Sequence, residues 1–425
     1  MTRLGILVGG GPAPGINCAI SSATIEACNE GLQVVGIYDG FEHLMRGDPG
    51  PVMALDIRSV SRIHAEGGSI LRTARANPTT DPALVERTVQ TLQELGVSLL
   101  VSIGGEDTAS SAAAVARRSG GTIRVAHIPK TIDNDLPLPA GLPTFGYETA
   151  RHVGTEQVLN LTEEARSTAR WVIVVIMGRN AGHLALGIGK AAGATLTIIP
   201  EEFGDRMVTL DHISAIIEGS IFKRRRQDRP YGVAVVAEGV VSRMQPDEVD
   251  RHFAENVDYD PHGHLRLEEL PLGMVLRRHL QTRLAERGHS VKLTDVTLGY
   301  TLRCAPPIPF DIDYTRTLGF GAVRFLLSPA ASPALQDGAL IAQIGGRISP
   351  IPFSDITDAA TGRIRVRRID IGSEHYDVAR RYMIRLERSD LTDAEELAAL
   401  ACTAGMEPEA FARQYGPVAA SRGSG

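Results

Sequence analysis

The chain has 425 residues, 43% of them hydrophobic and 22% charged, with a formal net charge of −6 at pH 7. That length allows two cores of ordinary size, and the negative balance excludes a general attraction for nucleic acid or anionic membranes. No run of about 18 apolar residues is present, the N-terminus enters a strand at Leu4, and the four cysteines (18, 28, 304, 402) show neither metal-ligand nor disulfide-framework spacing, so a cytoplasmic chain with reduced thiols is expected.

Strands alternate with helical stretches through the first 240 residues, which predicts an α/β chain with mainly parallel sheets whose C-terminal strand ends form the ligand face. The strand Leu4–Val8 runs into Gly10-Gly11-Pro12-Ala13-Pro14-Gly15-Ile16-Asn17, a turn that suits a phosphate and suits dinucleotide-binding folds equally. The apolar run Leu99–Ile103 leads into Gly104-Gly105-Glu106-Asp107-Thr108 and then into the alanine-rich stretch Ala109–Arg118. Such strand-to-helix turns hold anions through close backbone approach and the positive end of the helix dipole, so the two acids there are anomalous. Glu106 can hold a magnesium ion and Asp107 can fill the room of a further phosphate; the alternative makes Asp107 an N-cap and Glu106 a first-turn charge.

The next buried run, Ile123–Ile128, delivers Pro129-Lys130-Thr131-Ile132-Asp133-Asn134-Asp135 into one turn. A hydroxyl attacking phosphorus must shed a proton, which Asp133 can accept, while Asp135 helps hold a metal and Lys130 offsets charge on the transferred group. A solvated Asp-Asn-Asp turn before Pro137 is the plain alternative. Considered together, the two acidic turns point to phosphoryl transfer. Further strands lead into Met177-Gly178-Arg179, Pro200-Glu201-Glu202, Glu238-Gly239 and Leu298–Arg303. Lys223–Arg226 reads as a solvated helix end, Asp247–Gly263 as an inserted surface loop, Thr392 with Glu395 as a capping box, and Ser421–Gly425 as a disordered tail.

These motifs, in this order and from about residue 4 to about residue 322, resemble the phosphofructokinase family. The resemblance implies two Rossmann-like domains with the active site in the cleft between them: residues 1–143 plus about 305–420 for the phosphoryl donor, and 144–304 for the acceptor, fructose 6-phosphate. It implies Asp133 as the base that activates the sugar's 1-hydroxyl, with Thr131 against the acceptor and Met177, Gly178 and Arg179 contacting the sugar and the migrating group. Glu238 resembles a carboxylate that binds sugar hydroxyls, and Tyr300 and Arg303 resemble a 6-phosphate clamp. Arg170 resembles an arginine that reaches a neighbouring subunit's site, so a homo-oligomer with a shared active site is implied. Gly10, Gly11 and Thr108 fall on the donor side, and the cofactor is Mg2+, held by Glu106 and Asp135.

Asp107 and Lys130 occupy positions where ATP-dependent members usually have glycine. Asp107 would sit where the α-phosphate of ATP must go, and two negative groups about 4 Å apart repel by several kcal/mol at intermediate effective dielectric. Lys130 adds positive charge near a compact inorganic donor, and the pairing resembles the pyrophosphate-dependent branch. An ATP-dependent sugar or NAD kinase and a non-catalytic sugar-phosphate-binding subunit remain as alternatives. Three departures stand out. Glu106 replaces the commoner aspartate, Ser21, Ser22, Thr24 and Ile25 replace effector-binding arginines, and Lys292 or Thr294 stands in place of an acceptor-site arginine.

Overall fold

A computed structural model describes residues 2–139, 141–256, 258, 266–329 and 335–419. The tail Ser421–Gly425, and 257 and 259–263 of the expected surface loop, lie outside the described residues. The strands are β1 (Arg3–Val8), β2 (Gln33–Ile37), β3 (Val52–Leu55), β4 (Val97–Gly104), β5 (Arg124–Pro129), β6 (Trp171–Ile176), β7 (Leu196–Ile198), β8 (Gly232–Ala237), β9 (Leu293–Leu298), β10 (Ala339–Ile344) and β11 (Arg347–Pro352). They form two sheets in two compact units.

The first unit takes the chain up to Ala150 and again from Tyr300 to Arg367. Its sheet has the order β11-β10-β5-β4-β1-β2-β3, parallel from β10 to β2, with β3 and β11 antiparallel at the edges. The central strands read as near-continuous apolar runs because both faces are covered. Leu4, Ile6, Val8, Val101 and Ile103 share a core with the helices Ile16–Asn29 and Pro309–Leu327. Leu7 and Leu100 face the opposite core, with Pro82–Glu94 and Glu106–Arg118. Chain order reverses at β1, with β2 on one side and β4 on the other. Ligands of open α/β sheets bind at such a switch point, and the pairing of Val8 with Ile103 opens the two following turns side by side.

The second unit takes Arg151–Asp258, the chain from 266 to Gly299, and the described chain from 368 to 419. Its sheet, β7-β8-β6-β9, is wholly parallel, and every residue of β6 and β8 is buried. Residues 368–419 depart from the sequence expectation. They return to the second unit, whereas the stretch to about 420 was expected on the first. Ile384 N–H donates to Thr195 O (2.8 Å), Arg385 pairs with Glu202 (2.7 Å), and Tyr415 Oη donates to Glu218 (2.9 Å), a fully buried carboxylate also held by Arg283 and Arg287.

Three smaller expectations also change. Lys223 and Arg224 do end a helix, Leu210–Arg226, but they are not solvated: Lys223 pairs with Asp390 at 2.6 Å and Arg224 is buried against Tyr231. Asp393, not Thr392, caps the helix Ala394–Thr403, its carboxylate accepting from Glu395 N–H and Glu396 N–H. The described part of 247–263 is largely the helix Pro246–Phe253, anchored by buried Phe253.

Candidate active site

In the first unit the turn after β1 is shaped by Gly10, whose φ of +81° is left-handed; that region disfavours any residue with a Cβ. A Cβ there would also lie 3.2 Å from Lys130 Nζ, and one on Gly11 would lie 3.3 Å from the Arg303 guanidinium. Lys130 is 3% exposed, and its Nζ donates to Gly11 O while its N–H donates to Gly104 O (2.8 Å). Lys130 and Arg303 therefore flank the glycine turn. Gly10 itself is fixed by the segment after Leu71, its N–H donating to Ala74 O (2.9 Å) and its carbonyl accepting from Thr73 Oγ1 (2.6 Å).

The turn after β4 enters the helix Glu106–Arg118 with Gly105 at the N-cap and no side-chain cap. Asp107 is thus a first-turn residue and not the cap, half-buried like Glu106. Thr108 is buried, and it wedges between Gly9 and Gly104, where added Cβ atoms would meet its side chain at 2.5 and 2.3 Å. Beneath this turn the buried His127 offers Nε2 to Gly104 O (3.0 Å) and Nδ1 to Ser102 Oγ (2.8 Å). A carbonyl can only accept, which assigns the proton to Nε2. Burial pushes the imidazole pKa down to about 3, so the ring stays neutral.

The turn after β5 is held from three sides. Asp133 N–H donates to Thr131 Oγ1 (3.1 Å), Thr144 Oγ1 donates to Thr131 O (2.7 Å), and Thr144 N–H donates to Asn134 Oδ1 (2.9 Å). Asn134 takes the left-handed conformation that asparagine tolerates, with φ +57°. Arg367 clasps the outside, its guanidinium donating to the carbonyls of Asn134 (3.0 Å), Leu138 (3.3 Å) and Leu142 (2.8 Å). The turn therefore presents Asp133, half-buried, and Asp135, buried, beside Lys130.

Glu106 and Asp135 follow adjacent strands joined through Gly104 and Pro129. Among the described residues no group of three or more His, Cys, Asp or Glu side chains is arranged to hold a metal. Two carboxylates from neighbouring strand ends nevertheless supply the hard oxygen donors suited to magnesium, which keeps several waters and shares its shell with phosphates.

Burial is the largest influence on Lys130. With the nearby charges of Arg303 and Arg75 it brings the ammonium pKa down to about 7, against the opposing pull of Asp133 and Asp135. The ligand-free protein therefore carries this charge below pH 7 and loses it above. A bound polyanion favours the charged form, so affinity of this turn for a polyanion should fall by up to about tenfold per unit above pH 7, after allowance for the ligand's own ionisation. Lys130 alone acts on folding in the opposite direction. From about pH 7 to its unfolded value of 10.5 the unfolded chain binds more protons, so its contribution to stability rises while polyanion affinity falls. Calorimetric titration from pH 6 to 9 measures the affinity, and a flat profile would contradict the assignment.

In the second unit the turns after β6 and β8 meet. Gly178 N–H donates to Glu238 Oε1 (3.0 Å), Glu238 is buried, and Met177 N–H donates to Leu298 O (3.1 Å). Glu201, also buried, accepts from Gly182 N–H (2.9 Å) and Ile369 N–H (3.2 Å), fixing the far end of the loop that carries Arg179. Met177, Gly178, Arg179 and Glu238 are thus brought together. Tyr300 and Arg303, expected with them on the acceptor side, belong to the first unit, where the Arg303 guanidinium stacks 5.0 Å over the Tyr300 ring. Arg170 does not join Arg179. It precedes β6, about 20 Å of strand away, bonded to Thr168 (2.8 Å) and paired with Glu164 (3.4 Å). Lys292 and Thr294 lie at that same end of the sheet, where Trp171 N–H donates to Lys292 O.

Two site residues escape the sequence reading, Arg75 and Arg367. Neither sits in a motif, and only the fold brings them to the acidic turn and the glycine turn.

A model of the phosphofructokinase family matches residues 3–326. Pyrophosphate–fructose 6-phosphate 1-phosphotransferase of Thermotoga maritima is 57% identical over 97% of this chain and 98% of its own length. The protein of that name from Naegleria fowleri is 49% identical, covering 97% and 94%. The solved structure titled pyrophosphate-dependent phosphofructokinase from Nitrosospira multiformis superposes with a TM-score of 0.67 at 17% identity, covering 90% of each chain, a likeness of fold. With the family model covering residues 3–326 and nearly full-length relatives in agreement, the chain belongs to the phosphofructokinase family.

Proposed function

We propose that this chain transfers a phosphoryl group from pyrophosphate to the 1-hydroxyl of fructose 6-phosphate, releasing fructose 1,6-bisphosphate and phosphate in a reversible reaction. The observation that carries the donor assignment is the buried Lys130 ammonium against Gly10 and Gly11, with Asp107 on the first turn of the neighbouring helix. The names of the 57% and 49% identical relatives support it over an ATP-dependent sugar kinase or a non-catalytic sugar-phosphate-binding subunit.

Asp133 takes the proton from the sugar's 1-hydroxyl as its oxygen bonds to the nearer phosphorus, and the bridging P–O bond breaks to release phosphate. Lys130 and Arg179 stabilise charge on the migrating group. Thr131, Met177, Gly178 and Glu238 orient the sugar, Tyr300 and Arg303 take its 6-phosphate, and Gly11 with Asp107 bounds the donor. Glu106 and Asp135 would hold Mg2+, which would supply neutralisation of phosphate charge. Arg170, remote from Arg179 within its own subunit, serves a neighbouring copy's site, so the working form is a homo-oligomer. No helix among the described residues is long and apolar enough to cross a membrane; the reaction is proposed to take place in the cytoplasm.

Initial rates with magnesium-pyrophosphate, magnesium-ATP and no donor test the reading. Turnover is expected with pyrophosphate, and turnover with ATP in the absence of any with pyrophosphate would reject it.

A further inference from the structure

One buried side chain ties a neighbouring loop to the helix that follows the glycine turn. Asn17 is the second residue of the helix Ile16–Asn29 and is 2% exposed. Its amide is fully engaged by a single loop: Nδ2 donates to Glu66 O (3.4 Å) and Gly67 O (3.2 Å), and Oδ1 accepts from Ile70 N–H (2.8 Å). A buried amide with both its donor and its acceptor used fixes a backbone in a way that an apolar residue of the same volume cannot.

Two cation-bearing segments are attached to that loop. Five residues beyond Ile70 comes Arg75, on the stretch whose Thr73 and Ala74 hydrogen-bond Gly10 from both sides. On the other side, Gly67 lies so close to the chain after Arg303 that a Cβ would stand 2.0 Å from Cys304 O and 3.0 Å from Ala305 O. The loop 66–70 therefore sits between the carriers of Arg75 and Arg303, and Asn17 ties it to the helix that begins at the end of the glycine turn.

We infer that Asn17 is a positioning residue for the phosphoryl donor: through loop 66–70 it sets where the segment carrying Arg75 meets the glycine turn, and so governs capture of an inorganic polyphosphate. This rests on the proposed function for the identity of the donor. Asn17 touches no reacting atom. Its loss should appear mainly in the donor's KM, with a smaller change in kcat.

A double-mutant cycle on the full chain tests this, using wild type, Asn17→Ala, Arg75→Ala and the pair, with pyrophosphate KM and kcat measured at saturating sugar phosphate. The single change should raise KM about tenfold, yet add less than about twofold once Arg75 is already alanine, because residues acting through one another are not additive. Fully multiplicative effects, or an unchanged KM in Asn17→Ala, would overturn the inference. If Asn17→Ala does not fold, Asn17→Ser, which keeps a smaller polar side chain, enters the same cycle with the same expected non-additivity. Should wild type fail to turn over pyrophosphate, the proposed function falls, and equilibrium binding of pyrophosphate to the four proteins still decides the positioning role by the same criterion.

Discussion

Asp133→Asn should lower kcat with pyrophosphate and fructose 6-phosphate by about 10²–10⁴-fold, the usual contribution of a positioned general base, while leaving the fold intact. The carboxamide keeps the shape and loses the ability to accept the proton. The turn survives because Thr131 Oγ1, Thr144, Asn134 and Arg367 hold its backbone. The measurement is kcat at saturating concentrations of both substrates, with thermal unfolding as a control. A variant within tenfold of wild type would remove Asp133 from the role of base.

Replacing Asp107 and Lys130 together by glycine should reverse donor preference. Removing the ammonium takes away a charge-assisted contact of about 1.5–3 kcal/mol, so kcat/KM for pyrophosphate should fall by roughly 10- to 150-fold. Removing the carboxylate relieves a repulsion of about 4 kcal/mol, for charges 4 Å apart at an effective dielectric near 20, so kcat/KM for ATP should rise by up to about 10³-fold. The helix start tolerates the change because Gly105, not Asp107, is its cap. The single variants separate the two effects. Asp107→Gly admits the nucleotide while keeping pyrophosphate; Lys130→Gly weakens pyrophosphate binding without admitting ATP. Preference unchanged in the double variant would disprove the steric and electrostatic account of donor choice.

The sheets were legible because their signal is local. Leu99–Ile103 and Trp171–Ile176 are apolar runs long enough to be buried on both faces, and Gly104 to Asp107 and Met177 to Arg179 follow them directly. Asp133 and Glu106 could be singled out for the same reason, since chemistry at a strand end announces itself by contrast with the strand. Arg75 sits in an irregular segment with no period to mark it, and Arg367 lies more than two hundred residues from the turn it holds. The fate of the chain after Arg367 was hidden for a related reason. Its attachment to the second unit rests on single partnerships such as Arg385 with Glu202 and Tyr415 with Glu218, and a pair needs both ends in view. The cluster Lys223–Arg226 shows the converse: a charge run looks solvated until its partners, Asp390 and the Tyr231 and Ser290 carbonyls, are placed.

The fan of carbonyls beneath Arg367 limits how this family member can vary. Oxygens from residues 134, 138 and 142 converge on one flat guanidinium, and a lysine there, though equal in charge, would bring a single ammonium point to a target built for a planar fork. Catalytic geometry near the start of the sequence is thus insured by a residue close to its end, and exchanging the C-terminal portion with that of a relative would carry the proton acceptor's alignment along with it.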